Sequence, residues 1–341
     1  MIEIKKEMDE IFSSLDKDSI VAILVQHSPD PDCMGAAAGF MLLLREVYGL
    51  RSKTYHNGGK ISHPQNLCMK NVLHINISES NNFDHLKFSA IVVLDTDLTN
   101  TGFENESLVK AEVRIDHHTM DRGERATLED VRLVGSTCSI IWEYLKAFSV
   151  SLEEEADIAT ALLLGIKTDT LDFTSVNTVE LDIVAYRELL PLISKDSFSK
   201  VMNFTWPEVF FEIEAKAFVN RITDGSRLVS FVGELKDSSR DVIPTIADRF
   251  ARISTIQTVC IFGIIDGNII ASVRNSDDGV DVSELCRKIF GEEFSGAKDG
   301  SGGARVPLGP LYHLLNDELT KESVLEDISK EYIKRFLEEG T

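Results

Sequence analysis

Four short stretches of the sequence set acidic or imidazole side chains directly after apolar runs. Gln26-His27-Ser28-Pro29-Asp30-Pro31-Asp32 closes the run that begins at Ile20, and Asp95-Thr96-Asp97 follows Ala90 to Leu94. Asp116-His117-His118 follows Glu112 to Ile115, and Lys167-Thr168-Asp169-Thr170 follows Ala161 to Ile166. A lone D-x-D after a strand is more often a turn or helix cap, because a carboxylate accepts well from the free N–H groups of a first helical turn. Four acidic strand ends in one half of the chain are hard to ascribe to capping. Carboxylates and imidazoles converging from several strand ends form a hard O/N donor set, better suited to Mg²⁺ or Mn²⁺ than to thiolate-seeking zinc. Two such cations ~3.5–4 Å apart can activate a water and clamp a phosphoryl group for in-line displacement.

Residues that must converge need a sheet to hold them. The β-branched run Ile20 to Gln26 reads as a buried strand, and the helix expected over Cys33 to Tyr48 stops at Gly49. Further strands are expected at Ala90 to Leu94 and Glu112 to Ile115, with helices at Ser139 to Phe148, Glu153 to Ile166 and Thr178 to Leu192. The alternation predicts an α/β fold, a doubly wound and mostly parallel sheet covered on both faces, whose ligand crevice lies outside the carboxyl ends of its strands. After Pro191 the pattern turns irregular, and new strands are expected at Arg227 to Val232, Thr258 to Ile265 and Asn268 to Arg274. Asp266-Gly267 between the last two is a hairpin signal. Residues 295–303 read as a glycine-rich loop, and Glu322 to Glu339 as a final amphipathic helix. The expected division is a catalytic domain over 1–190, a linker over 191–225 and a smaller α+β domain over 226–341, with the active-site cleft between the two.

Composition narrows the function. Among 341 residues, 35 Lys and Arg stand against 56 Asp and Glu, a formal net charge of −21. Such a surface repels long duplex nucleic acid. The apolar runs fall short of the ~20 residues that span a bilayer, and the N-terminal decapeptide carries acidic charge without an apolar core, which points to a cytoplasmic protein with no membrane partner. Cys33, Cys68, Cys138, Cys260 and Cys286 are widely spaced and odd in number, as suits a reduced compartment and buried packing roles.

The acidic stretches together resemble those of the DHH phosphoesterases. Pro29-Asp30-Pro31-Asp32 with Gly35 resembles the first motif of that family, Asp95 in Val-Leu-Asp-Thr the second, Asp116-His117-His118 the third, and Gly165 to Thr170 the fourth. The C-terminal half resembles the DHH-associated domain of the nanoRNase and pAp phosphatase branch, in Ser272-Val273-Arg274-Asn275 and in Val280 to Leu285 followed by the glycine tract. It does not resemble the basic signature of the family's pyrophosphatases. The resemblance implies that Asp30 and Asp95 hold one metal and that Asp32, Asp95, His117 and Asp169 hold the other, with Asp95 bridging. It implies that His118 faces the scissile phosphate while an activated water attacks, and that Asp116 orients a histidine. A homodimer is a further implication.

The chain departs from the family pattern at two places. A histidine normally precedes the motif-one proline by three residues; here that position is Gln26, and His27 should point to the other face of the strand. Either Gln26 is a weak carboxamide ligand, giving a looser first site more tolerant of Mg²⁺, or it only hydrogen-bonds and the carboxylates hold that metal alone. In the glycine tract, Gly296-Ala297-Lys298 followed by Ser301-Gly302-Gly303 stands where the family has Gly-Gly-His. Lys298 is then a candidate phosphate contact, as are Arg274, Arg305 and the N–H groups of Gly302 and Gly303. Ser136-Thr137 reads equally as a helix N-cap or as a lining of the site. The expected activity is Mn²⁺- or Mg²⁺-dependent hydrolysis of small nucleotides, such as short single-stranded oligonucleotides, pAp or dinucleotides. The alternatives are an exopolyphosphatase or pyrophosphatase, and a nucleotide sensor with weakened chemistry.

Overall fold

A computed structural model of the chain describes every residue except 58, 59, 81, 104, 106, 107, 109, 119–125, 278, 299, 316, 340 and 341, and the side chains of 298, 311, 313, 318 and 339. Two compact units result, Met1–Thr205 and Trp206–Thr341. The stretch 191–225 is built largely of regular structure, two helices and a short strand. Among the described residues no helix is long and apolar enough to cross a membrane.

In the first unit, β1 (Ile20–Leu24), β2 (Arg51–His56), β3 (Ile77–Glu79), β4 (Ala90–Leu94), β5 (Ala111–Asp116) and β6 (Ala126–Val131) form one sheet. Their order is β3-β2-β1-β4-β5-β6, with every pair parallel. The chain builds outward from β1 in one direction and then restarts at β4 in the other, so the switch point lies between β1 and β4. That is where an open parallel sheet offers a crevice. The doubly wound α/β architecture read from the sequence is therefore the one observed. Both faces are covered, which is why β4 is buried at all its residues and reads as an unbroken apolar run. The flanking strands β2, β3 and β6 went unread because they are polar: Arg51, Ser52 and Lys53 open β2, and β6 alternates buried Ala126, Leu128 and Asp130 with exposed residues.

The helices of this unit are α1 (Ile2–Phe12), α2 (Pro31–Leu43), α3 (Pro64–Val72), α4 (Thr137–Ala147), α5 (Ala156–Asp169), α6 (Glu180–Leu189) and α7 (Lys195–Met202). Asp30 caps α2, Pro31 fills its first turn, and Ala36, Ala37 and Ala38 favour its middle. The helix widens into a π turn over Leu44–Tyr48 and ends at Gly49, whose φ of 67° is the left-handed stop. α2 and α5 lie so close that a Cβ on Gly35 would stand 2.6 Å from the carbonyl oxygen of Ala161 and 2.7 Å from Cys138 Sγ. The sequence groups Lys167 to Thr170 with the acidic strand ends, but the apolar run before them is the helix expected over Glu153 to Ile166: it is the body of α5, and Asp169 is that helix's last residue. A short apolar run does not distinguish a buried strand from a buried helix.

The second unit holds α8 (Glu208–Asn220), α9 (Val242–Phe250), α10 (Val282–Phe290) and α11 (Glu318–Glu339). Its sheet contains β7 (Ile222–Asp224), β8 (Arg227–Leu235), β9 (Thr258–Ile265), β10 (Asn268–Asn275), β11 (Ser295–Lys298) and β12 (Ser301–Pro307), in the order β11-β12-β10-β9-β8-β7. The pair β8–β9 is parallel and the other pairs are antiparallel. Asp266 and Gly267, at φ 48° and 70°, make the expected tight hairpin. The glycine tract is not a loop: it forms the paired strands β11 and β12, with Gly296 opposite Gly303. Its glycines answer to packing, since a Cβ on Gly302 would lie 2.5 Å from Cys286 Sγ.

Gly35→Ala is expected to lower stability by ~1–3 kcal/mol through overpacking, despite the better helix propensity of alanine. A urea midpoint that falls at constant slope would show it, whereas an unchanged midpoint would mean that α2 and α5 are not in rigid contact.

Candidate metal centre

Asp30 does two jobs at the end of β1. Its Oδ1 accepts from Cys33 N at 3.0 Å, capping α2, and its Oδ2 accepts from Gln26 Nε2 at 2.6 Å. Gln26 therefore spends its amide as a hydrogen-bond donor to Asp30. His27 is exposed. Asp32 is buried and receives the start of α4: its Oδ1 accepts from Ser136 Oγ at 2.5 Å and Cys138 N at 2.9 Å, its Oδ2 from Thr137 N at 2.7 Å. A helix N-terminus is a natural partner for an anion. Ser136 also caps α4, and Thr137 Oγ1 donates to Asp95 Oδ1 at 2.8 Å, so this pair both caps the helix and lines the site.

Asp95 follows β4 in the left-handed region, at φ 61°, a conformation that Asp tolerates better than most residues. Its N–H still donates to Ile115 O at 2.9 Å, so the ladder continues while the carboxylate turns inward. Asp116 ends β5: Oδ1 accepts from His118 N at 3.0 Å and His118 Nδ1 at 2.8 Å, and Oδ2 from Arg114 at 2.6 Å. His117 Nδ1 donates to Val134 O at 3.1 Å, so Nε2 is the ring nitrogen turned toward the carboxylates. That nitrogen stands 3.0 Å from Asp169 Oδ2, 3.5 Å from Asp95 Oδ1 and 3.9 Å from Asp32 Oδ2, yet none of these satisfies it as a hydrogen bond.

The crowding of carboxylates shows in their protonation. Burial, then the charges of Asp169 and Asp32, push Asp30 up to about 6. Burial and the charges of Asp32, Asp30, Asp169 and Asp116 raise Asp95 well above the carboxylate range, and burial raises Asp169. Asp116 moves the other way, because the two N–H groups of His118 and the guanidinium of Arg114 outweigh its burial. Burial alone would lower His117, but Asp169 and Asp32 beside it raise it to about 9.

Two buried atoms here lack a hydrogen-bond partner, Asp95 Oδ2 and His117 Nε2. Such atoms are rare in interiors unless something else completes them. Among the described residues, three groups place one donor atom per residue within 4.8 Å of one another: Asp30, Cys33 and Asp95; Asp32, His117 and Asp169; Asp95, His117 and His118. The residues present fit divalent cations. Asp95 is shared between groups, the placement a bridging carboxylate needs. Sequence reasoning missed Cys33 as a member, and it missed Arg114 and Asp182. Asp182 accepts from Gly135 N at 2.9 Å, Val179 N at 2.8 Å and Ser139 Oγ at 2.6 Å, fixing the entry to α4 from behind.

The candidate phosphate contacts lie in the second unit. Arg274 on β10 pairs in register with Ser301 on β12, and Ser301 with Lys298 on β11. The side chain of Lys298 lies outside the described residues. Arg274 is not free, because its Nε donates to Asp248 at 2.6 Å and its Nη1 to Ser272 Oγ at 2.8 Å. Gly303 and Arg305 are exposed on the β12 face that carries Ser301, whereas Gly302 points into the core.

Residues 20–166 match the model of the DHH family, N-terminal domain. An uncharacterized protein of Methanocaldococcus jannaschii is 31% identical over 314 residues, which cover 92% of this chain and 63% of that protein. The chain thus spans about 63% of the length of this curated relative. The crystal structure of an exopolyphosphatase-related protein from Bacteroides fragilis superposes with a TM-score of 0.63 at 14% identity, covering 98% of each chain, which is a likeness of fold. A putative family II inorganic pyrophosphatase from Methanococcus jannaschii gives a TM-score of 0.42 at 16% identity, covering 90% of this chain and 99% of that one.

Raised values on Asp30 and His117 mean that the metal-free folded chain holds protons that the unfolded chain has already released, so its stability falls as pH rises. Asp30 acts between 3.8 and about 6, and His117 between 6.5 and about 9. Chelated protein should therefore melt lower at pH 8 than at pH 5, and saturating Mn²⁺ should remove the difference. Equal melting of the chelated protein at both values would mean that the cluster carries no uncompensated charge.

Proposed function

From the membership of residues 20–166 in the DHH family we propose that this chain hydrolyses phosphoester bonds in small nucleotides, short oligonucleotides, pAp or dinucleotides, with Mn²⁺ or Mg²⁺ as cofactor. The observation that carries the reading is the shared carboxylate of Asp95, buried, contacted on Oδ1 and unpartnered on Oδ2, at the junction of the donor groups. Divalent cations bound there supply Lewis acidity toward phosphoryl oxygens and lower the pKa of water. Asp30 and Asp95 would hold one cation, and Asp32, Asp95, His117 and Asp169 the other. The N-terminus of α4 holds Asp32 in place, and Val134 O sets the tautomer of His117 that presents Nε2.

His118 is the residue for proton transfer. Asp116 takes its Nδ1–H, so the Nε2 edge of this partly exposed ring is the one left for substrate. There it can donate to a phosphoryl oxygen or protonate the leaving group. Arg114 holds the far oxygen of Asp116 and, with the N–H groups of His118, keeps that carboxyl ionised, so it stays the acceptor that orients the ring. The net charge of −21 favours short substrates, whose few phosphates need few cationic contacts, over polymers. Arg274, Lys298, Arg305 and the backbone at Gly302 and Gly303 remain the candidates for those contacts.

The test is release of mononucleotide or phosphate from pAp, short RNA, dinucleotides, pyrophosphate and polyphosphate with Mn²⁺ or Mg²⁺. Asp95→Ala is expected to abolish turnover, and His118→Ala to lower it by ~10²–10⁴-fold while metal uptake persists. Full activity in His118→Ala would remove the role given to it, and nucleotide binding without turnover in the wild type would make the chain a sensor.

A further inference from the structure

One of the three donor groups contains a thiol. We propose that Cys33 is a metal ligand in this chain, and that the Asp30/Cys33/Asp95 position takes Fe²⁺, Co²⁺ or Zn²⁺ in preference to Mg²⁺, leaving the Asp32/His117/Asp169 position to a harder ion. The inference rests on the metal-centre reading above and goes beyond it in naming the ligand and the class of cation.

The carboxamide N–H₂ of Gln26 donates to Asp30 Oδ2 at 2.6 Å, so that nitrogen offers no lone pair to a cation. A thiol stands on the other side of Asp30. Asp30 caps α2 and Cys33 lies three residues on, the spacing that sets side chains on one side of a helix turn. Cys33 Sγ and carboxylate oxygens of Asp30 and Asp95 all lie within 4.8 Å of one another, and Cys33 is fully buried. Asp95 Oδ1 is taken by Thr137 while the buried Oδ2 has no partner, an independent sign that the cluster awaits a cation.

The chemistry follows from the donor set. Two carboxylate oxygens and a thiolate would give a mixed O/S donor set of the kind zinc and its neighbours accept, whereas Mg²⁺ takes oxygen ligands. The thiol's present partner is easily given up, since Sγ only donates to the backbone oxygen of Asp30 at 3.4 Å. On binding, the S–H bond breaks, the sulfur–metal bond forms and the proton leaves to solvent. Cys138 is the internal contrast. It is equally buried, but it belongs to none of the three groups, and its sulfur fills the space that Gly35 and Gly165 leave open.

The whole chain, stripped of metal under anaerobic conditions, would be titrated with Co²⁺ and followed by absorption. Wild type and Cys138→Ser should develop a thiolate-to-cobalt charge-transfer band in the near ultraviolet. Cys33→Ser should lack the band yet keep the visible d–d absorption of cobalt at the histidine-containing position, which also shows that the variant is folded. Its Zn²⁺ affinity at the first position should fall by more than the ~10–100-fold that loss of an outer partner costs, with Mg²⁺ affinity little changed. Cobalt uptake without a charge-transfer band in the wild type, or a band that survives in Cys33→Ser, would overturn the role of the thiol alone. No cobalt uptake by the wild type, matching Asp95→Ala, would overturn the metal-centre reading and this inference with it.

Discussion

Negative charge buried faster than it is neutralised is the constraint around which the first unit is organised. Asp30, Asp32, Asp95, Asp116 and Asp169 converge at the carboxyl edge of the sheet. Arg114 is committed to Asp116 and the N-terminus of α4 to Asp32. An uncompensated carboxylate in a low-dielectric interior costs several kcal/mol, so it either takes up a proton or awaits a cation. The upward displacement of Asp30, Asp95 and Asp169 is the first of these outcomes. The buried atoms without a hydrogen-bond partner, Asp95 Oδ2 and His117 Nε2, make the second available.

Such a cluster has to be held against its own repulsion, and the parts that hold it come from distant sequence. β1 and β4 flank the switch point and deliver Asp30, Asp32 and Asp95; β5 delivers Asp116, His117 and His118. α4 follows β6 in the chain, and Asp182 of α6 holds its entry at Gly135 and Ser139 while its N–H groups meet Asp32. Close approach of α5 to α2 needs glycine on both, and a Cβ on Gly165 would stand 3.0 Å from the Cα of Asp32. Packing and chemistry therefore share residues here: a methyl group at Gly165 or Gly35 would press on the helix that carries two of the carboxylates.

What could be read from the sequence depended on how local the signal was. Asp30, Asp32, Asp95, Asp116 and His117 were legible because each sits at or just beyond the end of an apolar strand or in the cap that follows, and the doubly wound sheet followed from the same pattern. Asp169 was legible as the acidic residue just past a helix expected over Glu153 to Ile166, although counting it among strand ends blurred that it arrives on a helix, since a buried helix and a buried strand look alike over six apolar residues. Arg114 and Asp182 were not legible: an arginine within a strand and an aspartate in the first turn of a helix carry no sign of what they will meet across the fold. The glycine tract misled because conformational freedom and lack of bulk use the same residue, and at Gly302 it is lack of bulk that counts.

Asp169 shows how the geometry is locked. Asp169 is the last residue of α5, and the chain beyond it runs through three successive residues in left-handed backbone, Leu171, Asp172 and Phe173, at φ 49°, 57° and 66°. For residues with a Cβ this conformation costs roughly 1–2 kcal/mol each, so it persists only if the surroundings over-determine it. They do. Phe173 packs edge-on against Tyr186 of α6 at 4.9 Å, Lys167 pairs with Asp172, and Thr170 Oγ1 returns to Ile166 O at 2.6 Å. A helix that ran one turn further would carry the chain past the crevice, whereas an ending fixed by these contacts leaves Asp169 opposite His117. The strain begins two residues beyond the carboxylate it positions, and α6 both braces that turn through Tyr186 and anchors the entry to α4 through Asp182. One short helix thus braces both the turn beyond Asp169 and the entry to α4, although among the described residues none of its own side chains belongs to a donor group.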